Sequence, residues 1–158
     1  MSQPDPSRDW PDLAGRLLRD GAGPAHVLPV RVYFEDTDFS GLVYHGSYVR
    51  WCERGRSDFL RLLGSTHRDL DDGAGAREPA VFVVRRMRLD FLKPARIDDV
   101  LEIKTQVKEI GAATLTLEQV VHRDHIPLFE AEVMVVLVSR SGKPQRLGRM
   151  IRDALGRT

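Results

Sequence analysis

The sequence has only one cysteine, Cys52, in 158 residues. A single cysteine excludes an intrachain disulfide and a cysteine metal cluster, which suits a reducing compartment. No stretch approaches the ~20 consecutive apolar residues of a membrane-spanning helix. The N-terminal segment also lacks the basic start and apolar run of a secretory signal. We therefore expect a cytoplasmic protein with no membrane span.

An excess of charge of one sign is also missing. The formal net charge is +1, so the overall charge favours neither nucleic acid nor a membrane surface as a partner. Apolar residues make up 42% of the chain and charged residues 30%, as in ordinary soluble globular proteins. The length fits one domain with one hydrophobic core.

The hydrophobic pattern predicts one long helix among several strands. Residues 28–35 are typical of a strand, and apolar residues spaced three and four apart predict a helix over 48–63 with Ser47 as its N-cap. Gly55 lies in the middle of the apolar face, which costs about 1 kcal/mol relative to alanine and indicates close approach to a packed sheet. Period-two alternation predicts four more strands, joined by short antiparallel connections, at 80–92, 100–109, 112–122 and 128–139.

The most informative segment is EDTDFSGLVYHGSYVRWCERGRSDFL, at residues 35–60. Here a polar loop runs into a helix N-terminus, where free backbone N–H groups and the helix dipole favour an oxyanion. A carboxylate held beside such a site can attack a thioester carbon or activate a water molecule. Because a thiolate leaves readily, this chemistry needs no metal.

This segment resembles the 4-hydroxybenzoyl-CoA thioesterase-like hotdog family, and within it the YbgC-like, Tol-Pal-associated acyl-CoA thioesterases. The resemblance covers roughly residues 28–150 and leaves the N-terminal arm outside. It is carried by Tyr33, Glu35, Asp36, Thr37, Asp38, Gly41, Val43, Tyr44, His45, Tyr48, Glu53, Arg54 and Asp58, and further by Lys93, Pro94, Asp99, Gly142, Lys143, Pro144, Arg146 and Leu147.

The resemblance implies an α+β hotdog fold, in which a curved antiparallel sheet of five strands wraps around one long central helix. The hotdog domain is predicted at 28–140. It is preceded by an arm at 1–27 that is mostly irregular, with a short amphipathic helical turn from Trp10 to Leu18 as the weaker alternative. Residues 141–158 form a basic tail that is predicted to contain a short helix.

The resemblance also implies a role for each polar residue of the loop. Asp38 matches the family's catalytic aspartate, acting as nucleophile or general base. The backbone N–H of His45 matches the group that polarises the carbonyl, and its side chain would help orient water or substrate. Pocket-lining or orienting roles are implied for Tyr33, Gly41, Tyr44 and Glu53. Related sequences often have a second tyrosine where this chain has Phe34.

Simpler roles exist for the same residues. An aspartate before a turn is usually an Asx-turn or cap residue, and Asp36 is expected to hold the loop. Glu53 is at least as well placed for an ion pair with Arg54, Arg56 or a strand residue. Cys52 lies on the apolar face of the helix, so we expect a buried small hydrophobe and not a nucleophile.

Coenzyme A carries a 3′-phosphate and a diphosphate, for which arginine and lysine are the natural partners. The candidates are Arg86 and Arg88, which share one face of a predicted strand, and Lys93, which follows that strand. Exposed basic residues are more often plain surface. His122 and His125 have no matching cluster, so we expect no metal and no cofactor.

Two other functions fit parts of the sequence. A hotdog hydratase places a histidine five residues after an aspartate, whereas Asp38 and His45 are seven apart. A non-hydrolytic adaptor that binds acyl carrier protein or envelope-biogenesis partners would explain the basic tail, but the complete motif favours an enzyme. The expected partners are an acyl-CoA substrate, acyl carrier protein as an alternative, and further copies of the chain in a homodimer or homotetramer.

Overall fold

The computed structural model describes residues 15–19, 23–64 and 78–156. Its strands are β1 (Arg16–Arg19), β2 (Pro24–Arg31), β3 (Ala80–Phe91), β4 (Val100–Ile110), β5 (Thr114–Arg123) and β6 (Ile126–Ser139). The helices are α1 (His45–Leu62) and α2 (Arg149–Gly156), and a 3-10 turn spans Phe34–Asp36. Within the described residues, no helix is long and apolar enough to cross a membrane.

The strands form one antiparallel sheet in the order β1-β2-β4-β5-β6-β3. The hotdog fold prediction is confirmed, but the sheet has six strands and not five. The additional strand is β1, which lies in the segment predicted as an arm and pairs Arg16 with Val27. Leu17 and Leu18 are therefore in a strand and not in a helical turn, whereas Trp10 and Leu13 lie outside the described residues.

The observed helix and strand boundaries differ from the predicted ones near the loop. Strand β2 begins at Pro24 and ends at Arg31, four residues earlier than predicted. Helix α1 begins at His45, with Tyr44 as its N-cap. Ser47 is therefore not the N-cap; its hydroxyl donates to the Asp36 carbonyl (3.0 Å) and ties the first helical turn to the loop.

Gly55 allows α1 to pack closely against the sheet. A Cβ at this position would lie 3.2 Å from side-chain atoms of Ile103, Thr105 and Gln119. Gln119 is fully buried and donates both to the Cys52 carbonyl and to the Thr105 hydroxyl, at 2.9 Å each. The helix thus rests directly on β4 and β5, as the glycine in its apolar face predicted.

Asp58 ties α1 to the start of the described chain. Its carboxylate accepts hydrogen bonds from His26 Nε2 (2.6 Å), the Gly15 N–H (2.8 Å) and Arg61 (2.7 Å). Burial raises the pKa of Asp58, but the hydrogen bonds from Arg61, His26 and Gly15 together lower it below its ordinary value. A side chain at position 15 would force the backbone to shift, because a Cβ there would lie 2.1 Å from the Val27 carbonyl oxygen.

Candidate active site

The loop before α1 is held by Asp36. This residue is buried, and its side chain accepts a hydrogen bond from the Tyr33 N–H at 2.8 Å. Its carbonyl accepts from the Tyr44 N–H at 2.9 Å and from the Ser47 hydroxyl. The loop ends are further joined by a bridge between Thr37 and Val43. Asp36 therefore holds the loop against the start of the helix.

Asp38 lies at the exposed tip of this loop. Its Oδ1 accepts hydrogen bonds from the Ser40 N–H (2.9 Å) and from the Ser40 hydroxyl, which is an Asx-turn. The Ser40 hydroxyl, then the Ser40 N–H and the nearby His45 hold the pKa of Asp38 below its ordinary value. Asp38 is therefore an ionised carboxylate at neutral pH, presented to solvent on a fixed turn.

Gly41 closes the turn. Its φ of 83° lies in the left-handed region that favours glycine. Its N–H donates to the Asp38 carbonyl at 3.0 Å, while the Asp38 N–H donates to the Leu42 carbonyl at 3.0 Å. A side chain at this position would strain the turn, so Gly41 acts through the backbone that carries Asp38.

The first turn of α1 follows directly. The N–H groups of a helix's first turn have no partner within the helix, and the described residues supply no acceptor for the His45 N–H. The His45 ring packs against Tyr44 (centroids 4.3 Å apart) and against the edge of Phe91 (6.4 Å). A backbone donor without an acceptor among the described residues and the ionised Asp38 therefore lie at the same end of the helix.

Aromatic side chains form the floor behind this donor. Tyr48 is buried, stacks on Phe129 (5.1 Å) and meets Phe91 at 5.9 Å. Its hydroxyl accepts a hydrogen bond from the Ala95 N–H at 3.1 Å, and burial raises its pKa. The ring of Phe91 is half-exposed and continues this apolar surface to His45.

The structure brings only some of the predicted site residues together. Asp38, Gly41, Tyr44 and His45 share one loop and helix end, and the exposed Tyr33 begins that loop. Glu53 lies eight residues along α1, about 12 Å from His45 at 1.5 Å per residue. It accepts a hydrogen bond from the Ser57 hydroxyl at 2.7 Å.

Two of the three phosphate candidates point away from this loop. Arg86 and Arg88 share a strand face, as predicted, and both lower the pKa of Glu132 on the neighbouring strand. The same face carries an exposed ion pair between Lys108 and Glu132. Lys93 instead follows Phe91 in the connection that packs beside the site.

Cys52 has the structural role that the sequence predicted. It is fully buried, and burial raises the pKa of its thiol to about 12. A thiol that stays protonated at neutral pH is a poor nucleophile. Across the described residues, no group of His, Cys, Asp and Glu side chains could hold a metal ion.

Three residues near the site were not predicted from the sequence. Ser40 contacts Asp38, and an aspartate followed two residues later by serine was the available signal. Phe91 lines the floor, and Arg96 is brought to the loop by a bridge with Leu42. No sequence pattern links the 92–99 connection to the loop, because their contact depends on the folded sheet.

An apolar cavity of about 150 Å³ lies beside the C-terminal half of α1. Its polar lining residues are Glu53, Arg56 and Ser57, all on α1. The remainder are apolar and come from α1, its C-cap, three strands and α2: Phe59, Leu60, Leu63, Phe82, Val84, Leu115, Leu117, Val135 and Leu155.

Known proteins are similar to this chain in sequence and in fold. The thioesterase superfamily profile matches residues 40–130. The acyl-CoA thioester hydrolase YbgC of Escherichia coli O157:H7 is 42% identical over 125 residues, which are 78% of this chain and 90% of that protein. The acyl-CoA thioesterase YbgC of Haemophilus influenzae is 39% identical over 111 residues, 70% of this chain and 79% of that protein.

Solved structures agree with these matches. The crystal structure of a probable thioesterase from Bartonella henselae superposes with a TM-score of 0.75 at 42% identity, over 78% of this chain and 99% of that one. A 1,4-dihydroxy-2-naphthoyl-CoA thioesterase from Synechocystis superposes with a TM-score of 0.74, over 84% of this chain and 96% of that one. At 18% identity, the second comparison shows a shared fold alone.

Proposed function

Because the chain belongs to the thioesterase superfamily, we propose that it hydrolyses acyl-CoA thioesters in the cytoplasm, with Asp38 as the catalytic carboxylate. The observation that carries this proposal is the pairing of two groups at one helix end. The ionised Asp38 is fixed by Ser40, and the His45 N–H, in the first turn of α1, has no acceptor among the described residues. The relatives' names supply the acyl-CoA substrate.

The reaction follows from these two groups. The thioester carbonyl oxygen accepts a hydrogen bond from the His45 N–H, which stabilises the negative charge that develops on that oxygen. The Asp38 carboxylate removes a proton from water as the water attacks the carbonyl carbon, or it attacks that carbon itself and forms an anhydride that water then cleaves. In both routes the carbon–sulfur bond breaks and the products are a carboxylic acid and a thiol.

The two routes can be separated by isotope labelling. In a single turnover in H₂¹⁸O, an anhydride that water opens at the aspartyl carbon places ¹⁸O in Asp38 and leaves the product with unlabelled oxygen. Direct attack by water places ¹⁸O in the released acid, as does opening of the anhydride at the acyl carbon, so label in Asp38 is the result that establishes the anhydride route. Mass spectrometry of the product and of the peptide that contains Asp38 distinguishes these outcomes.

We also propose where the coenzyme A phosphates bind. Lys93 and Arg96 flank the site loop and are exposed, so we assign the phosphate contacts to them first. Arg86 and Arg88 are on the other face of β3 and would reach a site only across an interface with a second copy. Charge reversal at Lys93 and Arg96 should raise the KM for acyl-CoA more than it lowers kcat.

Thiol release tests the proposed function directly. A colorimetric thiol reagent would follow hydrolysis of acyl-CoAs of increasing length, and of one aromatic acyl-CoA, by the wild type and by Asp38→Asn. We expect the substitution to lower kcat by at least about a hundredfold, because it removes the carboxylate and preserves shape. Asp124→Asn is the matched control, because Asp124 is exposed in the β5–β6 hairpin with a φ of 50° that asparagine tolerates.

Each contrary result has a defined meaning. Equal hydrolysis by the wild type and Asp38→Asn would show that Asp38 is not the catalytic group. A folded wild type that hydrolyses no acyl-CoA would contradict the proposed substrate. The same assay on acyl carrier protein thioesters would then separate a carrier-specific hydrolase from a non-hydrolytic adaptor.

A further inference from the structure

The apolar cavity lies between α1 and the sheet. At Gly55 the helix approaches Ile103 and Thr105 of β4 and Gln119 of β5 closely. Towards β6 and β3, the N-terminal half of α1 packs through Tyr48 on Phe129 and Phe91. Beside the C-terminal half of α1, Val135 of β6 and Val84 of β3 line the cavity instead.

The cavity and the candidate active site lie along the same side of α1, at different distances from its N-terminus. Strand β3 runs antiparallel to α1, since Phe91 at its end contacts His45 at the start of α1, whereas Phe82 and Val84 line the cavity beside the C-terminal half of α1. Between these two points β3 places half-buried Leu89 against the core. The cavity therefore begins about 12 Å along α1 from His45, and Phe91 and Leu89 of β3 lie along this stretch.

The lining residues favour an apolar group. At the end of the cavity nearer to His45, α1 contributes Glu53 and Arg56, and the guanidinium of Arg56 donates to Gln119 at 2.9 Å. The other lining residues are apolar, apart from Ser57. An apolar protein cavity of about 150 Å³ accepts a six-carbon group such as benzene. The geometry therefore fits the last few carbons of a hydrocarbon chain.

The far wall of the cavity belongs to α2. Leu155 lines the cavity and is only 5% exposed, and Ile151 and Leu147 pack beside it in the core. The other lining residues come from α1, its C-cap and the sheet. Met150 lies on the same helix but is 64% exposed and does not line the cavity.

We propose that this cavity holds the distal end of an aliphatic acyl chain and that Leu155, from the C-terminal helix, sets the longest chain that the enzyme accepts. This inference rests on the proposed thioesterase function. It names the substrate class as straight-chain acyl thioesters long enough to reach from Asp38 into the cavity. Short acyl groups and aromatic acyl groups would leave the cavity empty and react more slowly.

Substitutions of opposite size at Leu155 test the proposal. For the wild type, kcat/KM should rise about fourfold for each methylene that enters the cavity, the fold-change equivalent to ~0.8 kcal/mol per buried CH₂. It should then fall once the chain exceeds the space. Leu155→Ala should move the maximum to chains longer by about two or three carbons, since it removes three carbon atoms. Leu155→Trp should move the maximum to shorter chains.

The matched control is Met150→Ala, which changes the same helix away from the cavity and should leave the chain-length profile unchanged. Loss of packing alone would lower activity on every chain length without moving the maximum. The proposal is overturned if both Leu155 variants, shown to be folded by thermal melting, retain the wild-type maximum. It is equally overturned if Met150→Ala shifts the maximum as they do.

A binding measurement separates this proposal from the proposed function. Titration calorimetry of the Asp38→Asn protein with butanoyl- to hexadecanoyl-CoA reports affinity without turnover. A chain-length optimum that moves with Leu155 supports the cavity even if the wild type hydrolyses none of these thioesters. Affinity that is independent of chain length would contradict the cavity assignment even if hydrolysis is observed.

Discussion

At the residue scale, Asp38 combines an observed structural role with the proposed catalytic one. An aspartate before a turn usually accepts hydrogen bonds from the next residues, and Asp38 Oδ1 does so with Ser40. The turn therefore uses one carboxylate oxygen, and the second oxygen stays available to a substrate. The same bonds that fix the turn keep the carboxylate ionised.

Ser40 should accordingly control the pH dependence of hydrolysis. Its hydroxyl is the largest cause of the lowered pKa of Asp38, and in the proposed reaction Asp38 acts as the carboxylate. A lowered pKa extends activity to more acidic pH, so Ser40→Ala should raise this pKa and move the acid limb of the kcat/KM profile to higher pH. The measurement is the pH–rate profile on one acyl-CoA for the wild type and the variant.

The control for this prediction is Ser40→Thr, which keeps a hydroxyl at the same position and should restore most of the wild-type profile. His45 also lowers the pKa of Asp38, and it is unchanged in both variants. A uniform loss of rate in Ser40→Ala, with no movement of the acid limb, would show that Ser40 only shapes the loop.

At the element scale, the position of α1 on the sheet determines where the candidate catalytic groups and the cavity lie. Gly55 lets the helix touch β4 and β5 directly. A glycine inside a helix costs about 1 kcal/mol relative to alanine, and this cost is offset by close packing that an added Cβ would strain. The glycine is thus a determinant of the helix position.

A bulky residue at Gly55 should therefore destabilise the protein. Gly55→Leu would place atoms where Ile103, Thr105 and Gln119 already approach within 3.2 Å of a Cβ, and overpacking of this kind typically costs about 1–3 kcal/mol or more. Urea denaturation monitored by circular dichroism measures the change in free energy of unfolding. Arg54→Leu, on the exposed side of the same helix, is the control and should stay within about 0.5 kcal/mol of the wild type.

Patterns within one element were readable from the sequence, and contacts between elements were not. The helix and the four later strands follow from periodicity, and Gly55 correctly predicted close packing on a sheet. Strand β1 was missed because Arg16–Arg19 has no strong alternation and is held by pairing with β2. Ser47 resembles an N-cap locally, but the folded loop offers it the Asp36 carbonyl instead. The cavity was beyond prediction because its lining comes from α1, β3, β5, β6 and α2.

The exposed edge of the sheet is the main feature at the scale of the whole molecule. Strand β3 is twelve residues long and, among the described strands, pairs only with β6. Its other edge presents a row of backbone N–H and C=O groups, which proteins normally cover or pair. Val83 and Val84 on this strand are 41% and 47% exposed, and Val84 also lines the cavity.

Pairing of β3 with a second copy would satisfy this edge and complete the wall of the cavity, so we predict at least a homodimer in solution. Size-exclusion chromatography with light scattering should give at least twice the mass of one chain. Val83→Lys should shift the protein toward the monomer and lower kcat/KM, because a charged residue on a strand edge opposes pairing and Val83 does not itself line the cavity. Val100→Lys is the control, since Val100 is similarly exposed (49%) but lies on β4. A stable wild-type monomer with full activity would contradict this prediction, because one chain would then contain the entire site.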